Sequence, residues 1–373
     1  AWRASESRMG TGKRLNQTRL AVENLGLYGF QLQDLMGRMR RSWLLPTLSA
    51  QEVDAAVAWF EARSALRSGA GPHFGAAAGR NLLVVQAEAL QRFVIGLEIE
   101  GREITPRLNS LLDSALFFSR VQDQTDQGRS SAADFVNLTS LLPVGESVAY
   151  DYPSNSYTTF AGVLAERGYA TLSAIPFRRS FWNRHVTMPS YGFQTTLFGP
   201  DFEPGERIGW GLNDRDFLLQ MLERLPGLPR PFCAFLMPLS LHYPYGHFPQ
   251  ELKRIDLGRW EGTALGNYLH GMNFFDRAVG ELLDGLERSG LLAETLVVVW
   301  GDHGSGLQRP ETRDLAERFF GGFERLHRFR LDRVPVIVLA PGADIPRGEI
   351  QRVAGQVDLA PTLLALLLSL IHI

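Results

Sequence analysis

The chain has 373 residues, of which 45% are hydrophobic and 21% charged, so it can bury the core of one large α/β domain with some additional structure. Its formal net charge of -2 provides no basic field of the kind that nucleic-acid-binding proteins use, and we expect no nucleic-acid partner. A single cysteine, Cys233, excludes an intrachain disulfide, and its apolar neighbours predict a small core residue.

Residues 1–79 differ from the rest of the chain and read as a helical linker region. Apolar periodicity predicts helices over Leu15–Asn24, Leu32–Arg41 and Ala50–Ser68, the last with Val53, Val57, Trp59 and Phe60 on its apolar side. Runs of Gly, Ala and Pro then separate this region from residues 80–373. We find no signal-peptide pattern and no apolar run long enough to span a bilayer.

Beyond residue 80, short apolar runs alternate with amphipathic segments. The predicted strands are Asn81–Gln86, Ala170–Ile175, Phe232–Met237, Thr295–Trp300 and Pro335–Leu339. The predicted helices are Thr105–Ser114, Ser131–Leu142, Tyr157–Gly168, Asp214–Leu225, Leu265–Ser289 and Asp358–Leu367. This alternation predicts an α/β sandwich with a mainly parallel central sheet and helices on both faces. The chain stops inside the last helix, at Ile373, and we expect it to be a fragment of a longer protein.

Three of the five predicted strands are followed by a side chain that can bind metal or transfer protons. Glu88 follows the first strand, His242 the third, and the adjacent pair Asp302-His303 the fourth, where glycines on both sides allow a tight turn. Because ligands bind beyond the carboxyl ends of parallel strands, we expect these groups to meet at one edge of the sheet. Each residue alone could instead be an exposed strand end or a turn residue.

Ser130 lies at the predicted start of a helix, where free backbone N–H groups favour an anion such as phosphate. As a nucleophile its hydroxyl would need activation by a metal or a base. The alternative is that Ser130 and Ser131 only cap the helix, because Asp134, three residues after Ser131, completes the pattern of a capping box. A set of carboxylate, imidazole and hydroxyl groups suits Mn²⁺, Mg²⁺ or Zn²⁺.

A further segment, Ser180–Arg184, follows the second strand. Arg184 could bind a phosphate through its guanidinium group, and Trp182 could form a wall of the pocket. Taken alone, this segment favours an ordinary loop without a functional role.

In this order, these segments resemble the extracellular catalytic domain of the lipoteichoic acid synthases, phosphoglycerol transferases of the alkaline-phosphatase/sulfatase superfamily. The matching stretches are Glu23–Phe30, Asn81–Phe93, Gly101–Asn109, Gln127–Phe135, Ser180–Arg184, Leu239–Tyr245, Gly301–Gly304 and Gly355–Leu363. The resemblance covers nearly the whole chain and implies a sulfatase-like fold for residues 80–373, truncated at its carboxyl end. It also implies an extracytoplasmic domain, at the cell surface or in the periplasm, which the full-length protein anchors in the membrane.

The resemblance implies that Glu88, Ser130, Asp302 and His303 hold one divalent metal, most often manganese, with Ser130 as the nucleophile. It places Trp182, Arg184 and His242 around the glycerophosphate group. Two positions depart from the family: its nucleophile is usually threonine, and the acidic substrate contact five residues before the tryptophan is here Phe177.

These implications lead to a two-step hypothesis. Ser130 attacks the phosphodiester of phosphatidylglycerol and releases diacylglycerol, and an acceptor hydroxyl then takes glycerophosphate from Ser130, with His242 assisting the leaving or entering oxygen. The acceptor would be a cell-surface or periplasmic glycan or polyglycerophosphate. The alternatives are a phosphatase, phosphodiesterase or sulfatase of the same superfamily and a metal-binding surface protein without activity. The formylglycine motif Cys/Ser-x-Pro-x-Arg is absent at both Cys233 and Ser130.

Overall fold

The structure, a computed structural model, describes residues 22, 25–33, 35–36, 39, 49–66, 71–125, 129–144, 148–153, 155–307, 309–322 and 324–368. The chain divides into two compact units, residues 1–72 and 73–373. In the part of the chain that the structure describes, no helix is both long and apolar enough to cross a membrane.

The first unit contains helix α1, Ala50–Leu66, which confirms the prediction for Ala50–Ser68 over most of its length. It starts with a reciprocal cap, since the Glu52 carboxylate accepts the Ser49 N–H at 2.8 Å and the Ser49 hydroxyl accepts the Glu52 N–H at 3.3 Å. Val53, Val57, Trp59 and Phe60 on this helix are all exposed. The predicted helix Leu15–Asn24 lies outside the described residues apart from Val22, and the described part of Leu32–Arg41 is helical.

Among the described residues, the second unit holds all the strands and ten α-helices. Its strands are β1 Asn81–Ala87, β2 Glu98–Ile99, β3 Arg102–Glu103, β4 Leu116–Gln122, β5 Ala170–Ala174, β6 Thr195–Leu197, β7 Arg207–Ile208, β8 Gly211–Leu212, β9 Phe232–Leu236, β10 Thr295–Gly301, β11 Arg333–Leu339, β12 Gly348–Ile350 and β13 Ala354–Gly355. Its helices are α2 Pro106–Leu111, α3 Arg129–Thr139, α4 Val148–Asp151, α5 Phe160–Glu166, α6 Arg184–Ser190, α7 Asp214–Arg224, α8 Ala264–Arg288, α9 Arg309–Phe320, α10 Arg325–Leu331 and α11 Leu359–Leu367.

Among the described residues, nine strands form one sheet in the order β12-β4-β11-β10-β1-β9-β5-β6, with β13 also paired to β4. All five predicted strands lie in it. Only β11 runs against its neighbours, β10 and β4, so the prediction of a mainly parallel sheet is confirmed. The sequence prediction missed β4, because Ser119, Arg120 and Gln122 interrupt its apolar pattern.

Helices cover both faces of the sheet. Along β1, Leu83 and Val85 belong to one core cluster, which includes residues of α2, α7 and α8. Leu82 and Val84 face a second cluster, with residues of α3, α5 and α11. Side chains that alternate between two buried faces explain why β1 and β10 are apolar throughout. Cys233 in β9 is fully buried, as predicted.

All six helices predicted beyond residue 80 are present, with ends that differ by up to three residues. One of the three-residue shifts is at the start of α5, where the N-cap residue Thr159 has extended backbone angles and its hydroxyl accepts the Gly162 N–H at 2.9 Å. The small-residue segment before β1 packs on α11, since the N–H groups of Gly75 and Ala77 donate to the carbonyls of Ala365 and Leu366 at 2.8 Å each.

Candidate metal centre and active site

Glu88 and Asp302 are brought together by the pairing of two neighbouring parallel strands. In the register of β1 and β10, Ala87 lies opposite Gly301, so the next residue of each strand reaches the same edge. The Asp302 N–H donates to the Ala87 carbonyl at 3.1 Å, which continues the pairing into the loop. Gly301 is required here, because a Cβ at this position would lie 1.9 Å from the Leu90 carbonyl oxygen.

Three potential metal ligands converge at this edge and are all buried. One donor atom from each of Glu88, Asp302 and His303 lies within 4.8 Å of the other two. Asp302 Oδ1 accepts the N–H groups of Ala89 and His303, both at 2.7 Å. Its other oxygen, Oδ2, lies 3.2 Å from His303 Nε2, and Glu88 Oε1 lies 3.4 Å from the same nitrogen.

The tautomer of His303 is set by its own loop. Its Nδ1 lies 2.8 Å from the Gly304 carbonyl, which can only accept, so Nδ1 carries the proton of the neutral ring. Nε2 then presents a lone pair to the carboxylates and to any cation between them. This is the arrangement that a metal-bound histidine usually shows.

Ser130 joins the cluster from the first turn of α3. Its Oγ lies 3.3 Å from Glu88 Oε2 and 3.1 Å from His303 Nε2, and its side chain is buried. The capping-box interpretation is wrong, since the helix already begins at Arg129 and the Asp134 carboxylate bonds to Gln86 and Arg184 instead. The structure therefore brings together the four residues predicted for the metal site.

Burial and the charges of neighbouring groups together set the pKa values of these residues. Burial and the negative charge of Glu88 raise the pKa of Asp302 well above its ordinary range. Burial would also raise the pKa of Glu88, but the charges of His242, His303 and Arg184 outweigh it and hold that pKa low. For His303, burial lowers the pKa, while the two carboxylates more than compensate and raise it.

This donor set fits a divalent cation. Two buried carboxylates, one imidazole lone pair and one hydroxyl converge, and the carboxylates repel each other unless a positive charge lies between them. Oxygen and nitrogen ligands of this kind are accepted by Mn²⁺, Mg²⁺ and Zn²⁺.

Arg184 and Trp182 contribute two buried N–H donors without a partner among the described residues. Arg184, with a 2% exposed side chain, binds Asp134 through Nε and Nη2 and leaves Nη1 unpaired. The indole Nε1 of Trp182 is likewise buried and unpaired. Trp182 and Asn183 both adopt left-handed backbone angles, with φ of 52° and 55°, a strained conformation that is common in functional loops.

His242 is held by its own loop and by an aromatic ring. Its Nδ1 lies 2.6 Å from the Tyr243 carbonyl, so the neutral ring has its lone pair on Nε2. Trp210, in the turn between β7 and β8, stacks on the imidazole with ring centroids 3.7 Å apart. Trp210 was not predicted as a site residue, because nothing in the local sequence pattern links this hairpin to the His242 loop. Phe177, which replaces the expected acidic contact, packs against Trp210 with ring centroids 5.6 Å apart.

Two further residues form hydrogen bonds to the backbone of the loop 302–304, and neither was predicted as a site residue. The Asp123 carboxylate accepts the Gly304 N–H at 2.9 Å. The Gln356 amide donates to the Asp302 carbonyl at 2.5 Å and accepts the Gln124 N–H at 2.7 Å. Gln356 belongs to the stretch Gly355–Leu363, which carried part of the family resemblance, so the motif contained a signal for it.

Comparison with known proteins identifies relatives of this chain. The lipoteichoic acid synthase-like protein YvgJ of Bacillus subtilis is 31% identical over 300 residues, which is 79% of this chain and 48% of that protein. The crystal structure of the lipoteichoic acid synthase LtaP from Listeria monocytogenes has a TM-score of 0.72 and 27% identity, covering 79% of this chain and 74% of that one.

The Streptococcus pyogenes phosphoglycerol transferase GacH, solved in complex with sn-glycerol-1-phosphate, has a TM-score of 0.59 at 18% identity. It covers 85% of this chain and 82% of that chain, and at this identity the likeness is one of fold. The chain spans about half the length of the curated relatives it matches.

The resemblance predicted from the motifs is thus confirmed, as is the sulfatase-like α/β fold. Residues 80–369 match the sulfatase family over most of the chain. The chain therefore belongs to the sulfatase family, with lipoteichoic acid synthases among its relatives.

Proposed function

We propose that the chain is the catalytic part of a metal-dependent phosphotransferase that moves glycerophosphate from phosphatidylglycerol to a glycan or polyglycerophosphate acceptor. The observation that carries this proposal is the buried convergence of Glu88, Asp302 and His303 on the hydroxyl of Ser130, at the start of a helix. Its relatives named as lipoteichoic acid synthases support the same class of reaction.

Glu88, Ser130, Asp302 and His303 would hold one divalent cation, with Mn²⁺ ahead of Mg²⁺ and Zn²⁺. When bound, such a cation neutralises charge on phosphoryl oxygens and favours the ionised form of a hydroxyl. The Gly304 carbonyl keeps the lone pair of His303 on Nε2, and the backbone N–H groups on Asp302 Oδ1 keep Oδ2 turned toward the site.

In the first step, a bond forms between Ser130 Oγ and phosphorus, and the bond from phosphorus to the diacylglycerol oxygen breaks. The serine proton leaves to solvent, and the diacylglycerol oxygen takes a proton from His242. In the second step, the acceptor oxygen bonds to phosphorus and gives its proton to His242 Nε2. The Oγ–phosphorus bond then breaks, and Ser130 regains a proton from solvent. His242 suits both steps because its Nδ1 is occupied by the Tyr243 carbonyl.

The phosphoryl oxygens would be bound by the free donors of the loop after β5. Arg184 Nη1 and Trp182 Nε1 are both buried without a partner among the described residues, and a buried unpaired donor is costly. Phosphoryl oxygens would supply acceptors for these donors, which supports an anionic substrate.

We further propose that residues 80–373 are the catalytic domain, that residues 1–79 link it to a membrane part, and that it works outside the cytoplasm at the membrane surface. A lipid donor supports this placement, because the phosphodiester of phosphatidylglycerol lies at the bilayer interface.

The proposal is tested by incubating the protein with phosphatidylglycerol and Mn²⁺ and analysing the peptide that contains Ser130 by mass spectrometry. We expect a mass increase that corresponds to one glycerophosphate, together with released diacylglycerol. Ser130→Ala should lose both, while Ser131→Ala, as the matched control, should keep the adduct at Ser130. Diacylglycerol release by Ser130→Ala at the wild-type rate would contradict the mechanism, and free glycerophosphate without any acceptor product would indicate a hydrolase.

A further inference from the structure

Asp134 lies one turn after Ser130 on α3, and its side chain is buried. Both oxygens of its carboxylate accept hydrogen bonds. Oδ1 accepts from Gln86 Nε2 at 2.7 Å, and Oδ2 accepts from Arg184 Nε and Nη2, both at 2.8 Å. Asp134 therefore connects the helix of the nucleophile with the arginine assigned to the phosphoryl group.

Gln86, on the other side of Asp134, is itself fixed in one orientation. Its Oε1 accepts from Asn137 Nδ2 at 2.9 Å and from Trp300 Nε1 at 3.0 Å, so its amide N–H₂ has to face Asp134. Gln86 precedes Glu88 by two residues, and Trp300 precedes Asp302 by two. The orientation of Asp134 is thus set by the two strands that also deliver the buried carboxylates.

The guanidinium of Arg184 is planar, so a carboxylate that holds two of its nitrogens also determines the direction of the third. Nε and Nη2 are held by Asp134, and Nη1 is left buried without a partner among the described residues.

We propose that Asp134, oriented by Gln86, is a positioning residue that fixes the Arg184 guanidinium relative to Ser130 and so presents Nη1 to the phosphoryl group. The inference rests on the proposed function. Its physical reason is rigidity: Asp134 and Ser130 share one helix, whereas Arg184 follows a loop with two strained residues, Trp182 and Asn183. Because Asp134 has a fixed position on the helix, the ion pair also fixes the position of the Arg184 guanidinium.

An ion pair that only stabilised the fold would have a different signature from one that positions Arg184. If Asp134 acts through Arg184, its removal should weaken phosphate binding, and the loss should disappear once Arg184 is gone. A purely structural pair would lower the melting temperature when Asp134 is replaced and leave the phosphate affinity of that variant unchanged.

The test is a double-mutant cycle with Asp134→Asn, Arg184→Gln and the double variant in the Mn²⁺-loaded protein. The Kd of inorganic phosphate is measured by calorimetry and the KM for phosphatidylglycerol in mixed micelles. We expect Asp134→Asn to raise both constants about tenfold or more, as for other broken buried charge pairs. The double variant should be no worse than Arg184→Gln alone. A Kd within twofold of wild type for Asp134→Asn, or a loss that multiplies in the double variant, would overturn the inference.

Two further variants keep the test decisive. If Asp134→Asn does not fold, Gln86→Leu removes the bond that orients Asp134 while leaving the ion pair, and an unchanged phosphate Kd there would overturn the inference. Asp276→Asn is the matched control, because this buried carboxylate accepts the N–H groups of Arg107 and Leu108 on the opposite face of the sheet. It should lower the melting temperature without changing the phosphate Kd or the KM.

The two proposals fail in distinguishable ways. Phosphate binding that depends on Asp134 in a protein that releases no diacylglycerol would support the positioning role and refute the proposed function. Diacylglycerol release with the same KM in wild type and Asp134→Asn would support the proposed function and refute the positioning role.

Discussion

Asp214 makes the stability of this protein depend on pH in a way that can be isolated. It is the first residue of α7 and is fully buried. Its Oδ1 accepts the N–H groups of Leu239 and Ser240 at 2.8 Å each, which holds the turn that leads to His242. Its Oδ2 has no hydrogen-bond partner in the described part of the chain.

Burial raises the pKa of Asp214 from 3.8 to about 6, because the hydrogen bonds to Oδ1 offset only part of the lost hydration. A raised pKa means that the folded protein keeps this proton at pH values where the unfolded chain has released it. The contribution to stability is therefore complete below about pH 4 and is lost as the pH rises through 6. The rise of the pKa from 3.8 to about 6 corresponds to roughly 3 kcal/mol.

Asp214→Asn removes this titration while retaining an oxygen for the two backbone N–H groups. We expect the unfolding free energy of wild type, relative to the variant, to fall by about 3 kcal/mol between pH 4 and pH 7.5. For a folded unit of this size that is a change of about 5 °C in the difference between melting temperatures. Circular dichroism with urea and thermal unfolding, in the presence of a chelator, measures both quantities.

The comparison between variants is necessary because other groups also titrate in this range. Their contributions are the same in both proteins and cancel in the difference. A difference that stays constant within about 1 kcal/mol from pH 4 to pH 7.5 would show that Asp214 is not destabilised by its burial.

Three further predictions concern the metal centre, the histidine and the core. Saturating Mn²⁺ should stabilise the wild type by about 3 kcal/mol at a hundredfold excess over its Kd, and Asp302→Asn should lose most of this shift in a thermal scan; an equal shift in the variant would place the cation elsewhere. Trp210→Ala removes the ring that stacks on His242 at 3.7 Å and should lower the initial rate about tenfold or more, whereas Trp210→Phe should keep most of it; equal rates in both variants would refute a role for the stack. Leu83→Ala, in the fully buried β1, should cost about 2–5 kcal/mol in urea unfolding, and a loss below 1 kcal/mol would mean that the site collapses without a cavity.

The strand ends explain why most of the metal site was predictable from the sequence. Apolar runs of β1 and β10 are long enough to identify, and residues that directly follow parallel strands reach the same edge. Glu88, Asp302 and His303 were therefore expected to meet, and they do. Ser130 was predicted at the start of its helix, with a cap as the alternative, and only the fold shows that its Oγ reaches Glu88 and His303.

Other parts of the site depend on contacts between segments that are distant in sequence. For Asp134 the sequence suggested only a capping box, as the alternative to a catalytic Ser130, because a carboxylate three residues after a serine has that pattern whether or not an arginine fifty residues later reaches it. Trp210 lies in a two-stranded hairpin that shares no sequence pattern with the His242 loop.

By itself the sequence determined the α/β class, the five main strands and the residues that follow them. Hydrophobic periodicity can be read from each segment alone, and the parallel direction of the strands then places the residues that follow them at one edge of the sheet. The tertiary structure decided the antiparallel placement of β11 next to β4, the partner of Asp134, and the ring that holds His242. These depend on which side chains meet across the folded chain. Sequence spacing does not predict these contacts between distant residues, because they depend on how the whole core packs.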